Sequence, residues 1–149
     1  EMRKRLDKGD KVISKIESIL GVRNVESIAI ESDELLIDRG DLSREVAITS
    51  IPFIQRSIIG KARAMNVPVN VATNLLDSMI TKRTPTRSEV NDVVSTLLMG
   101  ANGLVLAAET AIGKHPVLSV KMIKELMDST VHYYDSGINS FLLFNSANI

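Results

Sequence analysis

The 149-residue sequence contains no cysteine, no tryptophan and only two histidines. Without cysteine the chain can form neither a disulfide framework nor a thiol nucleophile, which fits an intracellular protein. No apolar run approaches the roughly 18 residues that a membrane span needs, and the first residues show no signal-peptide pattern. We therefore expect a soluble, cytoplasmic protein, with a location in an organelle left open.

An excess of charge of either sign is missing as well. The 18 basic and 18 acidic residues give a formal net charge of zero at pH 7. Charges so balanced and so well mixed indicate neither a basic nucleic-acid-binding surface nor an acidic tail. The sequence does have 44% apolar residues against 24% charged ones, enough to build one ordinary domain with a core. We expect neither nucleic acid nor membrane as a partner.

Short apolar runs that are each followed by a helical pattern occur four times along the chain. The predicted strands cover residues 11–16, 34–38, 68–72 and 103–107. The predicted helices cover residues 22–31, 50–65, 75–80 and 87–99, with a last helix from Pro116 and the end of another at 1–8. Thr86 and Glu89 form a capping-box pattern ahead of the fourth of these helices. This alternation predicts an α/β fold with a parallel sheet, either a small open sheet or half of an eight-stranded barrel.

Polar residues follow each predicted strand. The four pairs are Lys15 with Glu17, Arg39 with Asp41, Thr73 with Asn74, and Glu109 with Thr110. A parallel sheet would bring them to one rim, where two carboxylates without a nearby histidine favour magnesium or manganese over zinc. A lysine beside such a pair suits a phosphoryl or enolate oxygen. The residues alone leave a second interpretation open, that these are solvated loop charges or an ion pair between Arg39 and Asp41.

Five segments closely resemble, in order and spacing, the second half of the pyruvate kinase barrel. They are KVISKIESILG at 11–21, IDRGDLSREV at 37–46, VPVNVATNLLDSM at 67–79, PTR at 85–87 and GLVLAAETAIGKHP at 103–116. The resemblance implies the last four βα units of a TIM barrel. It places that half-barrel at residues 1–132 and a tail leading out of it at residues 133–149.

The resemblance also implies a set of site residues. Glu17 and Asp41 would bind Mg²⁺ or Mn²⁺, Lys15 and Thr73 would be catalytic, and phosphoenolpyruvate would contact Lys15, Thr73 and the backbone at Gly40 and Asp41. K⁺ is expected for the family, but the residues that hold it are not among these 149, and ADP or ATP would bind the missing half. The implied activity is phosphoryl transfer from phosphoenolpyruvate to ADP, giving pyruvate and ATP in glycolysis. This chain alone is expected to be inactive.

The sequence also departs from the family pattern near these residues. Asp38 stands where alanine is usual, Ser43 where glycine is usual and Asn74 where glutamine is usual, and Ala107 and Ala108 replace a serine and a glycine. The lost serine removes a hydroxyl that could join a proton relay. Two alternatives therefore stay open: a catalytically impaired relative that serves as a binding or assembly module, and a metal-dependent pyruvate or oxaloacetate lyase of related barrel type.

A sheet of four parallel strands leaves two edge strands unpaired and one face uncovered. Apolar residues expected on that bare face include Val12, Leu36, Val71 and Leu106. We therefore expect the chain to pair with the remainder of its own chain or with a second copy. The apolar segment Phe141 to Phe144 is expected to cover a seam of that assembly.

Overall fold

The computed structural model describes residues 9–146, and from residue 137 onward it describes only helical backbone. The helix end expected at residues 1–8 and the packing expected for the side chains from Phe141 to Phe144 lie outside this description. The chain divides into two compact units: the first runs up to Asn74 and includes Met99–Ala107, and the second comprises Leu75–Leu98 and the residues from Ala108 onward. Among the described residues, no helix has the length and apolarity to cross a membrane.

The first unit contains a four-stranded parallel sheet. Its strands are β1 (Ile13–Ile16), β2 (Glu34–Asp38), β3 (Val69–Ala72) and β4 (Gly103–Val105), and they lie in the order β1-β2-β3-β4. Each strand pairs with the next one along the chain in parallel register. This order confirms the α/β fold class and matches part of a barrel domain. It also leaves β1 and β4 as the edges of the described sheet.

Four helices lie in the described part of the first unit. They are α1 (Ile19–Arg23), α2 (Val25–Ile30), α3 (Arg39–Leu42) and α4 (Ile51–Ala64), and a 3-10 turn at Ile48–Ser50 precedes α4. The single helix expected at 22–31 is two helices that meet at Asn24. α1 begins earlier than expected because the Ser18 hydroxyl accepts a hydrogen bond from the Gly21 N–H at 3.1 Å. The one-turn helix α3 was not predicted.

The core of this unit lies between the sheet and helices α2 and α4. The side chains that the strands bury completely are Ile16, Leu35, Ile37, Val69 and Val71, and α4 adds Ile58, Ile59 and Ala62. The expectation that Val71 lies against water is wrong. Because side chains alternate along a strand, Val71 points to the helix side together with its register partner Ile37. Leu36 points the other way and is half-buried.

The face of the sheet opposite the core carries a polar ladder. Glu34 accepts a hydrogen bond from Lys11 Nζ at 2.7 Å through one carboxylate oxygen and from Asn70 Nδ2 at 2.9 Å through the other. Gly103 lies beside Asn70 on β4, and a Cβ atom there would collide with Asn70 Oδ1. The amide of Asn70, unusual inside a strand, therefore has a partner, and a glycine provides the space for it.

The second unit is helical. It contains a 3-10 turn at Asp77–Ile80 and the helices α5 (Arg87–Leu98), α6 (Ala108–Ala111) and α7 (Pro116–Ser146). α5 and α6 both pack against α7. The buried side chains include Met79, Val93, Ile123 and Leu126. α7 runs without a break across residues 132 and 133, and the boundary expected there between barrel and tail stays a prediction.

The capping box predicted at the start of α5 is confirmed. The Thr86 N–H donates to Glu89 Oε2 at 2.6 Å, and the Glu89 N–H donates to Thr86 Oγ1 at 3.3 Å. The carboxylate of Glu89 also accepts the N–H of Ser78 at 2.7 Å and its hydroxyl at 2.6 Å. Burial by itself raises the pKa of Glu89, but the hydrogen bonds from Ser78 and Thr86 outweigh it and lower the net pKa.

We expect Glu89→Gln to lower the free energy of unfolding by about 1–2 kcal/mol at pH 7, because an amide offers one acceptor oxygen where the carboxylate offers two. Since the folded-state pKa of Glu89 is depressed, its contribution is complete above the unfolded-state pKa and disappears as pH falls through the folded-state pKa. Urea unfolding at pH 7 and at acidic pH measures both effects. Glu125→Gln, at an exposed position on α7, is the matched control. A Glu89→Gln deficit that persists unchanged in acid would contradict this account.

Candidate active site

Three strands of the first unit bring polar residues to one edge of the sheet. Lys15 and Glu17 lie on either side of the last residue of β1, Asp38 ends β2, and Thr73 directly follows β3. Because the strands are parallel and paired in register, their carboxyl ends meet at this edge. Ligands bind at this end of the strands in α/β proteins.

The ammonium group of Lys15 lies among three carboxylates. Its Nζ atom is 2.7 Å from Glu17 Oε2, 2.8 Å from Asp38 Oδ2 and 3.3 Å from Asp41 Oδ2. These contacts, with Asp38 first and Glu17 second, hold the pKa of Lys15 above its ordinary value. The lysine therefore carries its positive charge throughout the physiological pH range.

The same three carboxylates form a group that could hold a metal ion. One oxygen from each of Glu17, Asp38 and Asp41 lies within 4.8 Å of the others. Oε2 of Glu17 is shielded from solvent, and Lys15 Nζ forms an ion pair with it at 2.7 Å. Carboxylate oxygens gathered in this way are the ligands that a hard divalent cation prefers.

Asp38 has the best-satisfied carboxylate of the three. Its Oδ1 atom accepts the N–H of Gly40 at 3.1 Å and of Asp41 at 3.3 Å, and it lies 3.1 Å from the hydroxyl of Thr73. It thereby caps the amino end of α3. Burial by itself raises the pKa of Asp38, but Lys15, the Asp41 N–H and the Thr73 hydroxyl outweigh it and lower the net pKa. The carboxylate is therefore ionised at neutral pH.

Thr73 occupies a strained backbone conformation at this edge. Its φ angle is 68°, and that of Asn74 is 53°, both in the left-handed region that a β-branched residue such as threonine rarely adopts. The conformation lets Thr73 Oγ1 accept the Gly40 N–H at 2.7 Å. A Cβ atom at Gly40 would lie only 3.2 Å from Thr73 Oγ1, so glycine allows this close approach.

Arg39 holds the strained pair in place. Its guanidinium donates to the Thr73 carbonyl from Nε at 3.1 Å and from Nη2 at 2.9 Å, and to the Asn74 carbonyl from Nη2 at 2.7 Å. The side chain is buried, and Nη1 is 3.5 Å from Oε1 of the buried Gln55 on α4. Arg39 thus acts on the site through the backbone after β3. Asp41 itself forms ion pairs with Lys15 at 3.3 Å and with Arg44 at 3.2 Å.

The fourth predicted pair lies in α6 of the second unit. Glu109 is completely buried, and its Oε1 atom accepts the Leu76 N–H at 2.9 Å. Thr110 beside it is exposed. Within its own unit Glu109 therefore supports the backbone at Leu76.

Five residues named from the sequence come together in the first unit: Lys15, Glu17, Gly40, Asp41 and Thr73. Sequence reasoning missed Asp38 as a member of this group and treated it only as a departure from a family pattern. One signal could have found it, since an aspartate directly ahead of a short Gly-containing turn is a typical N-cap. No local signal could have found the partners of Arg39, because they are backbone carbonyls 34 and 35 residues away along the chain.

Comparison with known proteins agrees with this architecture. The family model "Pyruvate kinase, barrel domain" matches residues 1–120. A pyruvate kinase of Thermotoga maritima is 42% identical over 115 residues, which are 77% of this chain and 25% of the relative. Pyruvate kinase isozyme G, chloroplastic, of Ricinus communis is 42% identical over 123 residues (83% and 29%), and a pyruvate kinase of Mycobacterium tuberculosis is 37% identical over 127 residues (85% and 27%). The chain thus spans about a quarter of the length of these relatives, and it belongs to the pyruvate kinase family.

Proposed function

We propose that this chain supplies the metal and phosphoenolpyruvate site of a pyruvate kinase. With the missing half of the barrel it would transfer a phosphoryl group from phosphoenolpyruvate to ADP, giving pyruvate and ATP. The observation that carries this proposal is the position of Lys15 Nζ within 2.7 to 3.3 Å of Glu17, Asp38 and Asp41 at the carboxyl ends of neighbouring parallel strands. Charge that develops on phosphoryl and enolate oxygens is stabilised by such an arrangement of metal ligands and a lysine.

In this proposal Glu17 and Asp41 hold Mg²⁺ or Mn²⁺, and the solvent-shielded Oε2 of Glu17 fits that role. The bound ion would act as a Lewis acid on the substrate oxygens. Lys15 would neutralise the transferred phosphoryl group and the enolate. Thr73 and the backbone N–H groups of Gly40 and Asp41 would hold the substrate carboxylate. K⁺, the nucleotide and the residues that bind them would come with the missing half of the barrel, since they are not among these 149 residues.

One observation favours a second candidate, a catalytically impaired relative that serves as a binding or assembly module. The donors proposed for the substrate carboxylate, namely the N–H groups of Gly40 and Asp41 and the hydroxyl of Thr73, all surround the carboxylate of Asp38. The metal pair would be present in either candidate, as it would in a related lyase. Metal binding therefore tests what all of them share.

We expect Asp41→Asn to weaken Mn²⁺ binding at least about tenfold, or about 1.4 kcal/mol, because a hard cation loses one of its charged oxygen ligands. Titration calorimetry of the wild type and the variant measures this. The matched control is Glu26→Gln, which removes one carboxylate of a surface ion pair with Lys61 elsewhere in the same unit and should bind Mn²⁺ like the wild type. Equal affinity of the wild type and Asp41→Asn would remove the proposed metal site.

A further inference from the structure

The carboxylate of Asp38 lies among four donors that could bind a carboxylate. The N–H groups of Gly40 and Asp41 and the hydroxyl of Thr73 lie 3.1 to 3.3 Å from Oδ1, and Lys15 Nζ lies 2.8 Å from Oδ2. The Gly40 N–H is shared with Thr73 Oγ1 at 2.7 Å, and the Thr73 hydroxyl is shared with the Ala72 carbonyl at 2.7 Å. These donors come from the ends of three neighbouring strands, and the Asp38 side chain is buried among them. Two hydrogen-bonded oxygens and one adjacent cation are what an ionised carboxylate needs when it leaves water.

We propose that Asp38 is an internal competitor for substrate, whose carboxylate occupies the place that the carboxylate of pyruvate or phosphoenolpyruvate must take. The inference rests on the proposed function, in which Gly40, Asp41 and Thr73 bind that carboxylate. A substrate carboxylate gains these donors only by displacing the side chain of Asp38. Asp38 is therefore a specificity-determining residue that weakens carboxylate binding and leaves the metal ligands Glu17 and Asp41 in place.

Two physical effects act in the same direction. The first is occupancy, because an intramolecular carboxylate is held at a high effective concentration next to its donors. The second is charge, because an ionised Asp38 repels an incoming anion and neutralises Lys15, the nearest cation. Two substitutions separate these effects. Asp38→Ala removes both, whereas Asp38→Asn removes the charge but keeps an oxygen that can cap the Gly40 and Asp41 N–H groups.

The probe is pyruvate, titrated without metal so that the outcome does not depend on Glu17 and Asp41 holding an ion. The amide chemical shifts of Gly40 and Asp41 are followed as pyruvate is added. The midpoint for each protein is the pyruvate concentration at which half of the shift change has occurred. We expect the midpoint to fall at least about tenfold in Asp38→Ala and at least about threefold in Asp38→Asn. Glu26→Gln, which removes the same charge away from the cradle, should behave like the wild type.

Equal midpoints in the wild type, Asp38→Asn and Asp38→Ala would overturn the inference. Asp38→Ala removes the N-cap of α3 and could lose its cooperative melting transition. In that case the wild type is compared with Asp38→Asn, and equal pyruvate midpoints of those two proteins would overturn the inference. Manganese binding in the wild type is measured separately. If the wild type binds manganese but the pyruvate midpoints are equal, only the inference about Asp38 is refuted. If the wild type does not bind manganese, the proposed function is refuted.

Discussion

Replacement of Arg39 by methionine is expected to lower the free energy of unfolding by about 3–5 kcal/mol. The guanidinium makes three hydrogen bonds to the carbonyls of Thr73 and Asn74, at 2.7 to 3.1 Å, from a buried position. Methionine fills a similar volume but donates nothing, so both carbonyls lose a charged partner. The left-handed backbone costs about 1–3 kcal/mol at the β-branched Thr73 and less at Asn74, since asparagine tolerates this region, and the bonds from Arg39 hold it in place.

Chemical denaturation of the variants tests this expectation. Arg39→Lys keeps the charge but not the planar guanidinium that reaches both carbonyls. We expect its free energy of unfolding to lie between that of the wild type and that of Arg39→Met. The matched control is Arg56→Met on α4, where an exposed arginine donates a hydrogen bond to the Pro52 carbonyl at 3.2 Å. We expect this substitution to change the free energy of unfolding by less than about 0.5 kcal/mol. A loss in Arg39→Met no larger than in Arg56→Met would show that the Thr73–Asn74 conformation needs no support from Arg39.

The second large effect is expected at Glu109 in the other unit. Glu109→Ala should cost about 2–5 kcal/mol, because it leaves a cavity and removes the acceptor of the Leu76 N–H in a completely buried position. Glu109→Gln retains an acceptor oxygen of nearly the same shape, and we expect it to lose less. The comparison separates the loss of the carboxylate charge, which both variants share, from the combined loss of the hydrogen bond and of buried volume in Glu109→Ala.

Amide hydrogen exchange at Leu76 is the sharpest measurement for this pair of variants. Exchange should accelerate markedly in Glu109→Ala and little in Glu109→Gln, alongside the change in thermal stability measured by calorimetry. Glu125→Ala, at an exposed position on α7, controls for the shortening of a glutamate in the same unit. Stability and Leu76 protection in Glu109→Ala that match this control would contradict the structural role of Glu109.

The parts of the fold that could be predicted are those with local causes. β2 was predicted at 34–38 as observed, because the apolar run Leu35 to Ile37 between polar residues indicates a strand by itself. The capping box of Thr86 and Glu89 was predicted because its partners are three residues apart. The site at the ends of β1 and β2 followed from parallel strands and from the resemblance to a family.

The parts that could not be predicted depend on partners distant in sequence. α3 is a single turn, too short for a periodic pattern, and its cap Asp38 also contacts Lys15 and Thr73. The side of the sheet that Val71 faces depends on strand register, and a shift of one residue reverses it. The break between α1 and α2 at Asn24 interrupts an apolar pattern that continues through both helices.

The polar ladder of Lys11, Glu34 and Asn70 has a consequence for the newly made chain. A parallel sheet with an apolar second face would aggregate during any interval before that face is covered, since exposed strands with apolar surfaces associate readily. Here the face opposite the core presents the charged and amide groups of the ladder, and it also carries the apolar side chains of Ile13 and Val105, which are 53% and 41% exposed. The ladder therefore interrupts the apolar surface of this face, and we expect it to lower the tendency of the sheet to associate with other chains through that face.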